Sequence, residues 1–235
     1  MEETKNNKTK VLQMLFAVLF FGALWGILEA TLGTLLHLPV LDKAGMYAAS
    51  STIMVPIAYC LMANCYKKTG SLYSVFLMGI IAALIKLTVA FVIGWRPSVY
   101  NPAIYIVVES LCMGAALAIF RPKNVCSLKT LATVIVANTL YQFSYLMINM
   151  TKGGTNVFAS LEAWQRVGEK YLFMFNGLAI LYMFAAGSIT YGVFKLLEKL
   201  NVNVKFDINK LICSPITASI SMVVAIALTI TIAAI

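Results

Sequence analysis

The chain has 235 residues, of which 61% are hydrophobic and 11% charged, and its mean hydropathy is +0.87. Soluble domains lie near half apolar and a quarter charged, so a water-soluble globular domain is excluded; the apolar residues fall in blocks of about twenty, the helical length that crosses about 30 Å of hydrocarbon. The net charge of +9 is concentrated in short links between those blocks, where lysine and arginine set orientation, and nucleic acid is dropped as a partner.

In chain order, residues 1–10 form a polar tail and 11–235 a single transmembrane domain. Candidate spans run over 11–36, 46–66, 71–94, 102–120, 127–150, 171–194 and 211–235. The first run is 26 residues long and lacks a clean small-residue cleavage pattern, so it is a span and not a signal peptide. The last has nothing polar after Ile235 to anchor it. The expected fold is therefore an all-α integral membrane protein, a compact bundle of six to seven transmembrane helices. With a cytosolic N-terminus, 12 Lys and Arg residues fall on inner segments and five on outer ones. That asymmetry places the N-terminus in the cytosol and predicts a multi-pass protein of the plasma membrane. Four of the five cysteines fall at cytosolic ends and Cys112 falls inside a span, so no disulfide framework is expected.

The first span carries Gly22, Gly26 and Ala30 at four-residue spacing, a tract of small residues that predicts close helix packing or the docking of a partner helix. Pro56 in the second span and Pro215 in the seventh are candidate kinks. The link before the fourth span ends in Asn101-Pro102, an N-cap followed by proline at the first helical position, which predicts that this helix starts at 102. The external link near 155–168 places Val157, Phe158, Leu161, Trp164 and Val167 close to one face, as an amphipathic helix lying on the outer surface would. No internal repeat is visible, which argues against the inverted-repeat carriers.

Three charged residues fall inside spans: Glu29, Lys86 and Glu109. Each costs about 3 kcal/mol at mid-helix, so each should be paired or face a cavity. Counted from the outer span ends, all three lie roughly 10 to 12 Å deep at 1.5 Å per residue. Glu29 shares a stripe with Gly22, Gly26 and Ala30, and Lys86 shares one with Gly79, Ala82 and Ala83. Glu109 continues a stripe with Asn101, Tyr105 and Cys112, while the fifth span adds Asn138, Tyr141, Gln142 and Asn149. These faces predict one polar chamber in the outer half of the bundle, with Glu29, Lys86 and Glu109 as anchors. Asn101, Tyr105, Asn138, Tyr141, Gln142 and Asn176 would be secondary contacts. Two carboxylates sharing one ammonium leave a formal charge of minus one, which suits a cationic ligand or a proton step. The alternative is a Glu-Lys-Glu cluster that fixes helix register and binds nothing. Trp25, Tyr47, Trp95, Tyr100, Tyr105, Tyr171 and His37 also fall toward the outer side, as an interfacial aromatic belt does.

Sequence signatures of catalysis are missing. The two aspartates, Asp42 and Asp207, lie in loops, and there is no HExxH, GxSxG or P-loop string. No cofactor, metal site or enzymatic activity is expected.

A small basic bundle with small-residue packing at Gly22, Gly26 and Ala30, a polar aromatic outer chamber and no nucleotide site resembles the substrate-binding S component of an energy-coupling-factor vitamin transporter. The resemblance implies capture of a small nutrient such as a vitamin from outside, and docking on a membrane coupling subunit driven by two ATPase subunits. It further implies that Gly22 and Gly26 belong to the docking face and that residues 37–47 form part of a gate. Seven spans depart from the six of that family. A proton-coupled secondary carrier using Glu29 or Glu109, and a membrane scaffold with a structural charged cluster, are the alternative functions.

Overall fold

A computed structural model describes residues 2–33, 49–122, 128–151 and 212–234, with isolated positions at 160, 162, 165 and 181. Among the described residues all regular structure is helical. Helix α1 spans Glu2–Leu28 and widens into a π-helical turn at Glu29–Gly33; α2 spans Ala49–Thr69, α3 Leu72–Leu87, α4 Ala90–Ile93, α5 Pro97–Phe120, α6 Leu128–Thr151 and α7 Pro215–Ala234. Five stretches are long and apolar enough to cross a membrane: Thr9–Leu32, Leu72–Ile93, Val99–Phe120, Lys129–Thr151 and Pro215–Ala234. Helix α2 falls outside that set. The candidate span 171–194, the loop 34–47 with His37 and Tyr47, Tyr171, and the segment near 155–168 lie almost entirely outside the described residues.

Local chemistry fixes the turns. Helix α2 ends at Gly70, whose φ of 67° is open to glycine without a Cβ penalty, and its N–H closes on Tyr66 O at 2.7 Å. Ser71 N then donates to Thr69 Oγ1 at 3.3 Å, and the Ser74 hydroxyl donates to Ser71 O at 2.5 Å. A two-residue link of this kind forces α3 to return antiparallel to α2. The span predicted over 71–94 breaks at Thr88, which caps α3 through its N–H and its hydroxyl, both on Ile85 O at 3.1 and 2.6 Å. The chain then continues as the short α4 up to Gly94.

Helix α5 starts at Pro97, five residues before the start predicted at Pro102. Both prolines suit a first helical turn. Arg96 is extended, with φ −132° and ψ 156°, and its carbonyl accepts from Val99 N and Tyr100 N at 2.9 and 3.2 Å, so nucleation occurs at the first proline. Pro102 sits inside the helix and deprives the Ser98 carbonyl of its helical donor, a cost confined to the second turn. The helix stops where Arg121 turns left-handed and Pro122 follows.

The tightest packing joins α3 to α5, followed by α1 with α7, α5 with α6, and α1 with α3; α2 packs against α1 and α3. Helices α1 and α3 run parallel, because Gly22 meets Ile81 and Gly26 meets Ile85, each pair one turn further along both chains. A Cβ on Gly22 or Gly26 would stand 2.8 Å from those isoleucines, so only glycine admits the approach. A Cβ on Gly79 would likewise run into Ser110 of α5. The main core joins Val18, Phe21 and Trp25 of α1 with Tyr59 and Met62 of α2, Met78 of α3, Met113 of α5 and Tyr141 of α6. A second cluster, Ala23, Ile85 and Ala225, seats α7 on α1 and α3. The outer face of α7 exposes Ile216, Ile220, Val223 and Leu228, as a lipid-facing surface does.

Candidate functional site

Glu29 stands at the point where α1 widens into its π-helical turn, a distortion that recurs at functional sites. The Trp25 indole Nε1 donates to Glu29 Oε1 at 3.4 Å from one turn below. Lys86, the residue after Ile85, donates from Nζ to the main-chain oxygen of Glu29 at 3.4 Å, and its charge also interacts with the Glu29 carboxylate. The parallel register of α1 and α3, set by the glycines, is what brings these two residues together. Trp25 was expected in an interfacial belt, but it is fully buried in the core with Glu29 as its partner. Depth alone suggested a belt; the face of the helix decides otherwise. Trp95 is exposed in the link between α4 and α5, where a belt residue belongs.

Glu109 has a different environment. It lies in α5, 5% exposed, and its Oε1 has no hydrogen-bond partner. The earlier start of α5 puts it about 18 Å from the helix N-terminus, more than a turn deeper than a start at Pro102 implied. Around it stand Tyr59 from α2, Tyr141 from α6 and Cys112 from the next turn of α5, each close enough to interact electrostatically. Glu29 is also within electrostatic reach, as a charge of the same sign. The Tyr59 hydroxyl has no partner either. Among the described residues, Tyr59 OH and Glu109 Oε1 are the two buried side-chain oxygens left in this state, and the two groups lie within electrostatic range of each other.

The remaining sequence-derived contacts spread along α5 and α6. The Tyr105 hydroxyl donates to Asn149 Oδ1 at 3.1 Å, and its ring lies 4.8 Å from that of Tyr145. Tyr141 is near Tyr105, Tyr145 and Glu109, so it links that aromatic pair to the carboxylate. Asn138 and Gln142 are buried on α6 and Asn101 is half-buried on α5. Asn176 lies outside the described residues. Gly22, Gly26 and Ala30 are packed within the chain, the two glycines against α3, so α3 covers the face that the resemblance assigns to docking. The structure therefore brings Glu29 and Lys86 into contact and leaves Glu109 in the core within electrostatic range of Glu29 and of two tyrosines, rather than sharing one ammonium evenly among three groups.

Tyr59 was missed by a search that looked for charge inside spans, and α2 carries none in its middle. The signal available was a tyrosine near the middle of an apolar helix, away from either interface.

Comparison with protein families, with curated proteins and with solved structures finds no match to this chain.

Chemically, the surroundings of Glu109 bring a carboxyl, two phenols and a thiol among apolar core side chains. The phenols and the thiol can both donate and accept hydrogen bonds, and the tyrosines place aromatic surface within electrostatic range of the carboxyl group. Among the described residues no group of three or more His, Cys, Asp or Glu side chains is arranged to hold a metal.

Proposed function

We propose that this chain is the substrate-capture subunit of a membrane transporter that imports a small nutrient such as a vitamin. In this reading it sits in the plasma membrane as six to seven spans with its N-terminus in the cytosol. It acts as an S component does in an energy-coupling-factor system, handing solute to a membrane coupling subunit and ATPase subunits. The observation that carries the reading is the buried Glu109 with one oxygen unpartnered, within electrostatic range of the equally unpartnered Tyr59 hydroxyl. Leaving an ionisable group unpaired at such a depth costs several kcal/mol in an idle helix bundle, and membrane proteins keep such groups where a solute or ion uses them. Lys86 holds the main-chain oxygen of Glu29 and lies within electrostatic range of its carboxylate, so this pair is the fixed part of the polar layer.

Affinity purification of the full chain from its native membranes in mild detergent tests this. Stoichiometric recovery of nucleotide-hydrolysing subunits with a membrane coupling protein is expected. Accumulation of solute by proteoliposomes holding this chain alone, driven by a proton gradient, would assign it to the secondary carriers instead.

A further inference from the structure

We propose that the C-terminal ends of α1 and α3, the π-helical turn at Glu29–Gly33 and the stretch from Thr88 through α4, form one unit that opens and closes together on the packed stem below it, latched by Lys86. The unit stands on the fold alone and goes beyond the capture reading.

Helices α1 and α3 leave regular geometry at the same level. Both close contacts, Gly22 with Ile81 and Gly26 with Ile85, hold the same register, and three residues further along each chain it sets Glu29 level with Thr88. There α1 widens into its π-helical turn, whereas α3 tightens: Thr88 N, Val89 N, Phe91 N and Val92 N each donate three residues back, to the carbonyls of Ile85, Lys86, Thr88 and Val89, at 3.0 to 3.3 Å. The sequence supplies the cause. One turn beyond Gly26 stands Ala30, level with Val89, and its Cβ does not fit the spacing that the glycines allow, so the close parallel contact ends there. A threonine hydroxyl donates to a main-chain carbonyl at each joint, Thr31 to Ile27 O at 2.8 Å and Thr88 to Ile85 O at 2.6 Å, an arrangement that bends helices. Lys86 bridges the two joints through its bond to the main-chain oxygen of Glu29 at 3.4 Å, and α7 packs against both the π-helical turn and α4. Below the joints, the glycine contacts and the cluster of Ala23, Ile85 and Ala225 pack the stem. Widened and tightened turns inside helices recur at hinges and functional sites, and the segments that move are drawn from the weakly held parts of a fold. Opening of this unit would loosen the surroundings of Glu29 and leave the glycine contacts closed, so the polar layer would be reached from one side only.

Native-state hydrogen exchange of the detergent-purified full chain, read by mass spectrometry over a series of low urea concentrations, tests the unit. In the wild-type chain the amides of 30–33 and 88–93 are expected to share one opening equilibrium, at least about 10-fold more open than that of the stem amides of 20–26 and 78–85. Lys86→Met should raise exchange in both segments by the same factor, about 10-fold, the low end for losing a hydrogen bond to a charged group. Lys86→Arg, which keeps a donor, should hold both segments closer to wild type than methionine does. Two different openings for the two segments in the wild-type chain, or one opening shared with the stem, overturns the proposal, and that comparison decides even where Lys86→Met does not fold. A Lys86→Met rise confined to α3 overturns it as well. The capture reading is decided separately, by co-purification of the ATPase subunits.

Discussion

The contact of α1 with α3 and the meeting of α2, α5 and α6 around Glu109 follow opposite rules. Along α1 and α3, glycines let the isoleucines of the neighbour in to the backbone, and the polar groups at the end of the contact, Trp25, Glu29 and Lys86, find partners. Around Glu109, large side chains meet and the polar atoms do not pair: Glu109 Oε1 and Tyr59 OH are both buried and both idle. The first region is a fully satisfied packing surface, in which any added atom is a clash. The second leaves two buried hydrogen-bonding atoms unmatched. Membrane bundles draw stability from close packing rather than from a hydrophobic drive between helices, so the first region fixes the register and the second can remain incomplete.

Substitutions should separate the two regions sharply. The largest effect is expected at Gly26→Leu. Its Cβ would stand 2.8 Å from Ile85 and the rest of the side chain has no space, so a loss of more than about 3 kcal/mol, or failure to fold, should be visible in detergent melting curves. Next comes Lys86→Met, which strips Glu29 of its nearby cation; a loss of about 2 kcal/mol is expected, reduced from the value for a fully buried pair because Lys86 is only partly buried, and it should be the same with or without ligand. Glu109→Gln reverses the pattern. Removing an unpaired buried carboxylate should leave the empty chain as stable as wild type or more so, while abolishing ligand-dependent stabilisation in the same assay. The smallest change is expected at Tyr59→Phe, which deletes an idle hydroxyl and should move stability of the empty chain by less than about 1 kcal/mol. A destabilised Glu109→Gln chain with unchanged ligand response would erase the contrast and make Glu109 another packing residue.

Much of this was legible in the sequence, for physical reasons. The thickness of a bilayer imposes apolar runs that are hard to miss, and five of them are helices here. The four-residue spacing of Gly22 and Gly26 gave the packing face of α1. It could not give the neighbour, because small residues mark where a helix approaches and carry no record of which helix or in what direction. That α3 lies parallel to α1 is a tertiary fact, carried by Ile81 and Ile85. The start of α5 was misplaced since Pro97 and Pro102 carry the same local signal, and the carbonyl of Arg96 decides between them. Trp25 was read by depth, and its burial depends on rotation about the helix axis. Charge inside a span pointed to Glu29, Lys86 and Glu109, yet an uncharged phenol in the middle of α2 gave no comparable signal, and Tyr59 emerged only from its unmet hydroxyl.

The central claim is that the unpaired oxygens around Glu109 are a ligand site. Native mass spectrometry of the full chain, released from its own cell membranes in mild detergent, tests it most directly. A small-molecule mass retained by the wild-type chain and missing from Glu109→Gln is the predicted result. Identical spectra for the two chains, with no bound molecule on either, would contradict it.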